Sequence, residues 1–258
     1  MGRRRQRHFN PATAGCAAVF DGRFGISSEY ANPPGLYVTT WEGRSKSLHS
    51  AAGIDGASPV DRKKLINGQG ACESGIAYPF YVGPNPMVSG PASGIDLQTQ
   101  NCSVLICAKN DGTQNYLEYA RILGVVPDCS AYYGMKQPSY PTAGTSYVAS
   151  FFGDAVLTWN DLNANSPNVS ADQPFAACFS NNGTACTPIA NNTAQSNKTV
   201  TAVQCNVAVL FSALISGSAT QVFRGSVAMI AISATKLSTT VERRILQMMG
   251  RVWRIHTL

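Results

Sequence analysis

Helical periodicity occurs convincingly once in this chain, and it comes at the end. Val241, Ile245, Met248, Val252 and Ile255 recur at spacings of four, three, four and three, which places them on one stripe of a helix. Thr239, with Glu242 three residues on, fits a capping box. Arg251 and Arg254 fall in the last turns, where cations suit the negative end of the helix dipole. The pattern predicts an amphipathic helix over 239–256. Upstream of it the punctuation is that of β-structure: short apolar runs bounded by Gly, Pro, Asn and Ser.

Those runs fall at 36–41 (LYVTTW), 103–108 (SVLICA), 145–152 (TSYVASFF), 155–159 (AVLTW), 206–214 (NVAVLFSAL) and 221–233 (QVFRGSVAMIAIS). The Gly153-Asp154 pair reads as a hairpin turn. In the last run, residues on both parities are apolar, so both faces are expected to be buried. Gly225 is a candidate bulge. Many short strands followed by one helix describe an antiparallel sandwich with a helix packed against it. No apolar run approaches the 18–20 residues, roughly, of a membrane helix.

Charge is scarce, at 13% of residues against a hydrophobic fraction of 44%, which excludes a disordered chain. The net charge of +6 is concentrated at the ends. Arg3, Arg4, Arg5 and Arg7 stand in the first eight residues without an acid. Lys236, Arg243, Arg244, Arg251 and Arg254 face only Glu242 in the last 23. A nucleic-acid interface needs cations spread along a face and interleaved with aromatics, and no such stripe occurs. Residues 1–8 read as a basic arm able to order against an acidic partner, and 9–258 as one sandwich domain with its helix.

The search for chemistry returns few motifs. His8, His49 and His256 are scattered, and neither a Gly-x-Ser-x-Gly elbow nor a phosphate loop is present. The acids stand singly rather than as the strand-borne pair a glycosidase uses. The eight cysteines form no CxxC. Several lie within apolar runs, where a free thiol serves as a small hydrophobe. The best local disulfide candidate is Cys178 with Cys186, across an NNGT turn. Asp161, Asn163, Asn165, Asn168 and Asp172 echo a calcium loop, but Ser166 replaces the expected glycine. An ordinary loop uses the same residues, so no metal site is expected. Trp41, Trp159 and Trp253 read as core or helix-packing residues before they read as a sugar platform.

Several segments, taken in order, resemble a known family. They are Phe9-Asn10-Pro11 leading to Ala17-Ala18-Val19-Phe20-Asp21; Val38-Thr39-Thr40-Trp41-Glu42-Gly43; Leu65-Ile66-Asn67-Gly68; Ser93-Gly94-Ile95-Asp96-Leu97 running to Val104-Leu105-Ile106; and the close, Phe223-Arg224-Gly225-Ser226-Val227 followed by Ile230-Ala231-Ile232, Leu237-Ser238 and the Glu242-to-Trp253 helix. The chain resembles the laminin-G-like and concanavalin A-like domains of bacterial surface proteins and tailed-phage virion proteins. It departs from them at Val19-Phe20, where a Trp is usual, and at Met248-Met249, where Tyr-Leu is usual.

The resemblance implies an all-β fold, a two-sheet antiparallel jelly-roll sandwich with a short C-terminal helix. By analogy it implies a structural, non-enzymatic protein on the exterior of a tailed-phage virion, made in the host cytoplasm. Such a protein would be a head decoration or cement subunit, or part of a tail adhesin. Arg3, Arg4, Arg5 and Arg7 would dock on other capsid or tail proteins, a homo-oligomer would suit the symmetry of a particle, and no cofactor, membrane or nucleic acid would be needed. The alternative is a carbohydrate-binding lectin module meeting host-surface glycans through Tyr132, Tyr133, Tyr140 or Trp159. A polysaccharide-cleaving enzyme is the third reading.

Overall fold

Two of the longest apolar runs in the sequence become adjacent strands at the middle of the molecule. The computed structural model describes residues 9–31, 35–43, 50–53, 64–66, 71–74, 80–83, 95–98, 101–110, 120–126, 131–136, 145–153, 159–161, 168–170, 174–182, 185–190, 193–194, 198–199, 204–210, 213–215, 218–220, 225–253 and 255. Strand Gly225–Ser233 pairs with Ala18–Asp21 on one side and with Ser103–Asn110 on the other. Ser103–Asn110 in turn pairs with Pro174–Asn182, and all the pairings are antiparallel.

The register sorts these four strands into rows. Val19, Ala231, Leu105 and Cys178 form one row, and Asp21, Met229, Cys107 and Ala176 form the next on the same face. Phe20, Ile230, Ile106 and Ala177 form a row on the opposite face. Residues on both faces are between 0% and 2% exposed, apart from Asp21, at 4%. Continuous apolar runs are therefore needed here in place of alternating ones. One irregularity interrupts the ladder. Val227 pairs with Ala108 and Met229 with Cys107, which leaves Ala228 as the extra residue of a bulge. The bulge lies three residues beyond Gly225, and the carbonyl it frees at Ala228 accepts the Gly22 N–H at 2.8 Å.

Helix Thr239–Trp253 covers the first of these faces, joined there by Cys16, Leu237 and Ile255. The residues it buries are Glu242, Ile245, Leu246, Met249 and Gly250. The buried face is thus rotated toward Leu246 and Met249, while Val241 and Met248 are only partly buried. The N-cap is Ser238: its carbonyl accepts the Glu242 N–H at 3.0 Å and its Oγ the Val241 N–H at 3.4 Å. Glu242 is not a capping-box residue. It is 2% exposed and points into the sheet, accepting the Ser103 hydroxyl at 2.7 Å and the Lys236 ammonium at 2.8 Å. Ser103 Oγ also accepts the Leu237 N–H at 2.9 Å. The helix is therefore pinned to the central strand by a buried, charge-assisted network.

A second group of strands runs Gln204–Leu210, Ala120–Val126, Ala131–Lys136 and Thr145–Gly153, with Trp159–Asp161 and Asn168–Ser170 both paired to the last. Phe80–Gly83 and Ile95–Gln98 extend it from the other edge of Gln204–Leu210. Gly153 pairs with Trp159, so the connection there spans 154–158 rather than a Gly-Asp dipeptide. The molecule is mostly antiparallel strands with one C-terminal helix, and no described helix is long and apolar enough to cross a membrane.

Met249 is fully buried between helix and sheet. Met249→Ala is expected to cost about 3 kcal/mol through lost burial and the cavity left behind. Urea denaturation followed by circular dichroism measures it, and a cost below about 1 kcal/mol would contradict this packing.

Candidate functional site

The chain turns a tight corner where its first strand ends. Asn10 caps a short 3-10 turn, Pro11–Ala14, by accepting the Ala12 N–H on its side chain at 3.1 Å. Gly15 closes that turn at φ +107°, a conformation costly for other residues. A Cβ there would also stand 3.2 Å from Leu237 Cδ2. The strand that follows ends at Asp21. The Asp21 carbonyl accepts the Phe24 N–H at 2.9 Å and the Trp41 indole N–H at 3.2 Å. Trp41 is buried and meets Phe20 edge to face, with ring centroids 5.7 Å apart. It is thus a core residue.

The Asp21 carboxylate is consumed locally. It accepts the Arg23 backbone N–H at 3.0 Å, and the Arg23 guanidinium side-on at 2.9 and 2.6 Å. These hydrogen bonds raise the Arg23 pKa above its ordinary value, burial opposes them in part, and the carboxylate charge adds to the rise. The guanidinium also lies 5.1 Å from the Phe24 ring centroid. Beside it, between the Phe9–Pro11 segment and Met248 and Val252 of the helix, is a recess of about 360 Å³. Its walls are largely apolar, and its acid already holds a cation. The corner is built to fix the chain's entry into the sheet, and it presents no acid free to move a proton.

Glu242 is likewise committed, to Ser103 and Lys236. Ser103 lies four residues along the central strand from Cys107, which pairs in the Asp21 row. The two buried acids are therefore about 13 Å apart along the strand, beyond the roughly 5–9.5 Å that separates a glycosidase pair. Among the described residues no group of His, Cys, Asp and Glu could hold a metal ion. Asp161 and Asn168 of the calcium-like segment belong to two separate short strands, opposite Phe151 and Tyr147.

Cys178 stands opposite Ile189, and Cys186 opposite Asn181. Three residues of offset is about 10 Å along the strand, past the roughly 7 Å limit for a disulfide. Cys178 and Cys186 are therefore too far apart for the disulfide that the turn suggests, and Cys178 lies in the core under the helix.

The candidate sugar-contacting residues separate by register. Tyr132 pairs with Phe151, and Phe151 with Asp161. Trp159 pairs with Gly153, two residues from Phe151, so Tyr132, Phe151, Asp161 and Trp159 occupy one face of the sheet. Tyr133, paired with Ser150, takes the other face. Tyr140 lies outside the described residues, as do Arg3, Arg4, Arg5 and Arg7. The sequence pattern places Phe151 in a strand and Asp161 in a calcium-like loop. Their neighbourhood depends on pairing across the sheet, which local pattern does not display.

No protein-family model matches the chain, and no curated protein matches it. Solved structures do. The botulinum neurotoxin serotype D binding domain aligns at a TM-score of 0.57 with 10% identity, over 92% of this chain and 53% of that one. A Trypanosoma rangeli sialidase in complex with sialic acid aligns at 0.53 with 10% identity, over 92% of this chain and 33% of that one. The binding domain of botulinum neurotoxin DC in complex with rat synaptotagmin II aligns at 0.52 with 10% identity, over 88% and 52%. The chain spans about half the length of the neurotoxin domains and a third of the sialidase. At these identities the likeness is one of fold alone.

Burial holds the Cys16 thiol's pKa up at about 12, from 9.0. Burial first, and the Asp21 charge second, push the Cys107 thiol up as well. A raised folded pKa adds stability that is complete below the unfolded value and lost as pH climbs through the folded one. Between pH 9 and 12 the wild type should therefore weaken, with Cys16 accounting for about 1 kcal/mol of the loss by pH 10. Cys16→Ala should flatten the fall in urea midpoint over that range; parallel curves would contradict the assignment.

Proposed function

We propose that this chain is a glycan-binding β-sandwich module that performs no chemistry on its ligand. The observation carrying the reading is the likeness of fold, over 92% of the chain, to a neurotoxin binding domain. A neighbouring sialidase is named for its complex with sialic acid. Two further features support it. The buried acids that are described, Asp21 and Glu242, are each in an ion pair, so neither is available as a general acid. The face of the four central strands turned away from the helix carries Phe20, Ile106, Phe179 and Ile230, all at most 1% exposed, so a second layer must cover it. In our reading that layer is the sheet built on 120–170 and 204–210, giving the two-sheet jelly-roll arrangement.

Virion exteriors are the setting we propose for the module, on the resemblance noted above and on the cluster Arg3, Arg4, Arg5 and Arg7. The arginines would dock onto an acidic surface of a capsid or tail protein and leave the sandwich to meet host glycans.

A glycan array probed with the full chain tests binding, and a reducing-sugar assay on the same ligands tests hydrolysis. Saturable binding to a restricted glycan set, without release of sugar, is the expected result; no binding, or turnover, would overturn the proposal. Removing residues 1–8 should leave glycan binding unchanged and abolish salt-sensitive co-sedimentation with phage particles. Unchanged co-sedimentation would remove the docking role from the arm.

A further inference from the structure

The recess at the first corner is apolar inside and cationic along one border. Phe9, Val19 and Phe24 wall it from the chain's entry, and Met248 and Val252 wall it from the helix. Phe24 is 43% exposed, a large apolar ring that the core does not cover. The Arg23 guanidinium lies 5.1 Å from the centre of that ring and is held there by Asp21 at 2.6 Å. At about 360 Å³ the recess falls within the range of pockets that seat ligands, roughly 300–1,000 Å³.

The cationic border is the solvent side of the helix, where Arg243, Arg244, Gln247 and Arg251 are all exposed. Arg244 stands four residues before Met248 and Arg251 three after it, so both are neighbours of that recess residue on the helix surface. The two arginines are about 10 Å apart along the axis. The acid of this helix, Glu242, is buried and paired with Lys236 at 2.8 Å. Asp21, the acid in the recess wall, is committed to Arg23. Among the described residues, then, neither the helix nor the recess has an acid left to neutralise Arg243, Arg244 and Arg251.

We propose that the recess and the arginine row together form a docking surface for an acidic segment of a partner protein, anchored by one apolar side chain. The anchor fills the recess against Phe24, Met248 and Val252, and carboxylates flanking it pair with Arg244 and Arg251. Arginine suits this role because its planar fork matches a carboxylate bidentately. An apolar anchor in a pocket, ringed by polar contacts, is the arrangement in which a few residues carry most of the binding energy. Guanidiniums spread along the helix call for several carboxylates in sequence, which a single lipid headgroup does not supply. A nucleic acid supplies phosphates, but its binding draws on cations rather than on an apolar anchor. The surface does not depend on the glycan-binding reading.

The test is a peptide array probed with the full chain, in which a central phenylalanine, leucine or alanine is flanked by acidic, neutral or basic residues. Fluorescence anisotropy then measures the tightest peptide on wild type, Phe24→Ala and Arg251→Gln, with duplex DNA and phosphatidylserine vesicles as competitors. Both substitutions are at exposed positions; circular dichroism melts confirm each fold, and Arg244→Gln replaces either variant if it fails. Binding should require acidic flanks together with an apolar centre, should weaken with salt, and should fall about tenfold in each variant. Equal binding of peptides with an alanine centre would remove the recess from the surface and overturn the proposal. Unchanged affinity in both variants would overturn the site. DNA or vesicles that bind more tightly than every peptide, and lose affinity in Arg251→Gln, would overturn the partner class. Absence of binding to any peptide would overturn the proposal, whatever the glycan array shows.

Discussion

Four central strands with no solvent-facing side set the terms for the rest of the molecule. An apolar row such as Phe20, Ile230, Ile106 and Ala177 is stable only beneath another layer, as is the row Val19, Ala231, Leu105 and Cys178 on the reverse. The C-terminal helix supplies one cover. Its placement is fixed by Ile245, Leu246 and Met249 packing on the sheet and by Glu242, which reaches Ser103 and Lys236 at 2.7 and 2.8 Å. A carboxylate this buried is tolerated because hydroxyl and ammonium partners replace the water it loses. Leaving it unpaired would be costly. The polar pins give the helix a defined position that apolar packing alone does not specify.

The two buried acids that are described, Asp21 and Glu242, are spent on structure, one at the first corner with Arg23 and the other at the helix with Ser103 and Lys236.

The parts of this architecture legible in the sequence were those that local pattern encodes. Strands at 103–110 and 225–233 announced themselves as apolar runs, and the helix by its 3.6-residue stripe. Glu242 was misjudged because its spacing from Thr239 mimics a cap, whereas its real partner, Ser103, lies 139 residues away. The Cys178–Cys186 pairing failed for a related reason: closeness in sequence says nothing of register, and the hairpin sets the two thiols three positions out of step. Tyr132 and Trp159 were singled out one by one as sugar-contacting candidates. That they share a face with Phe151 while Tyr133 does not follows only from pairing across strands.

The central claim is that the four central strands are closed to solvent on both faces, with the C-terminal helix as one cover. Hydroxyl-radical footprinting read by mass spectrometry measures this directly, because oxidation of Met, Tyr and Trp follows solvent access. The account predicts protection of Met229, Met249 and Trp41, each at most 1% exposed, and rapid oxidation of Tyr30, which is 72% exposed. Oxidation of Met229, Met249 and Trp41 as fast as that of Tyr30 would contradict it.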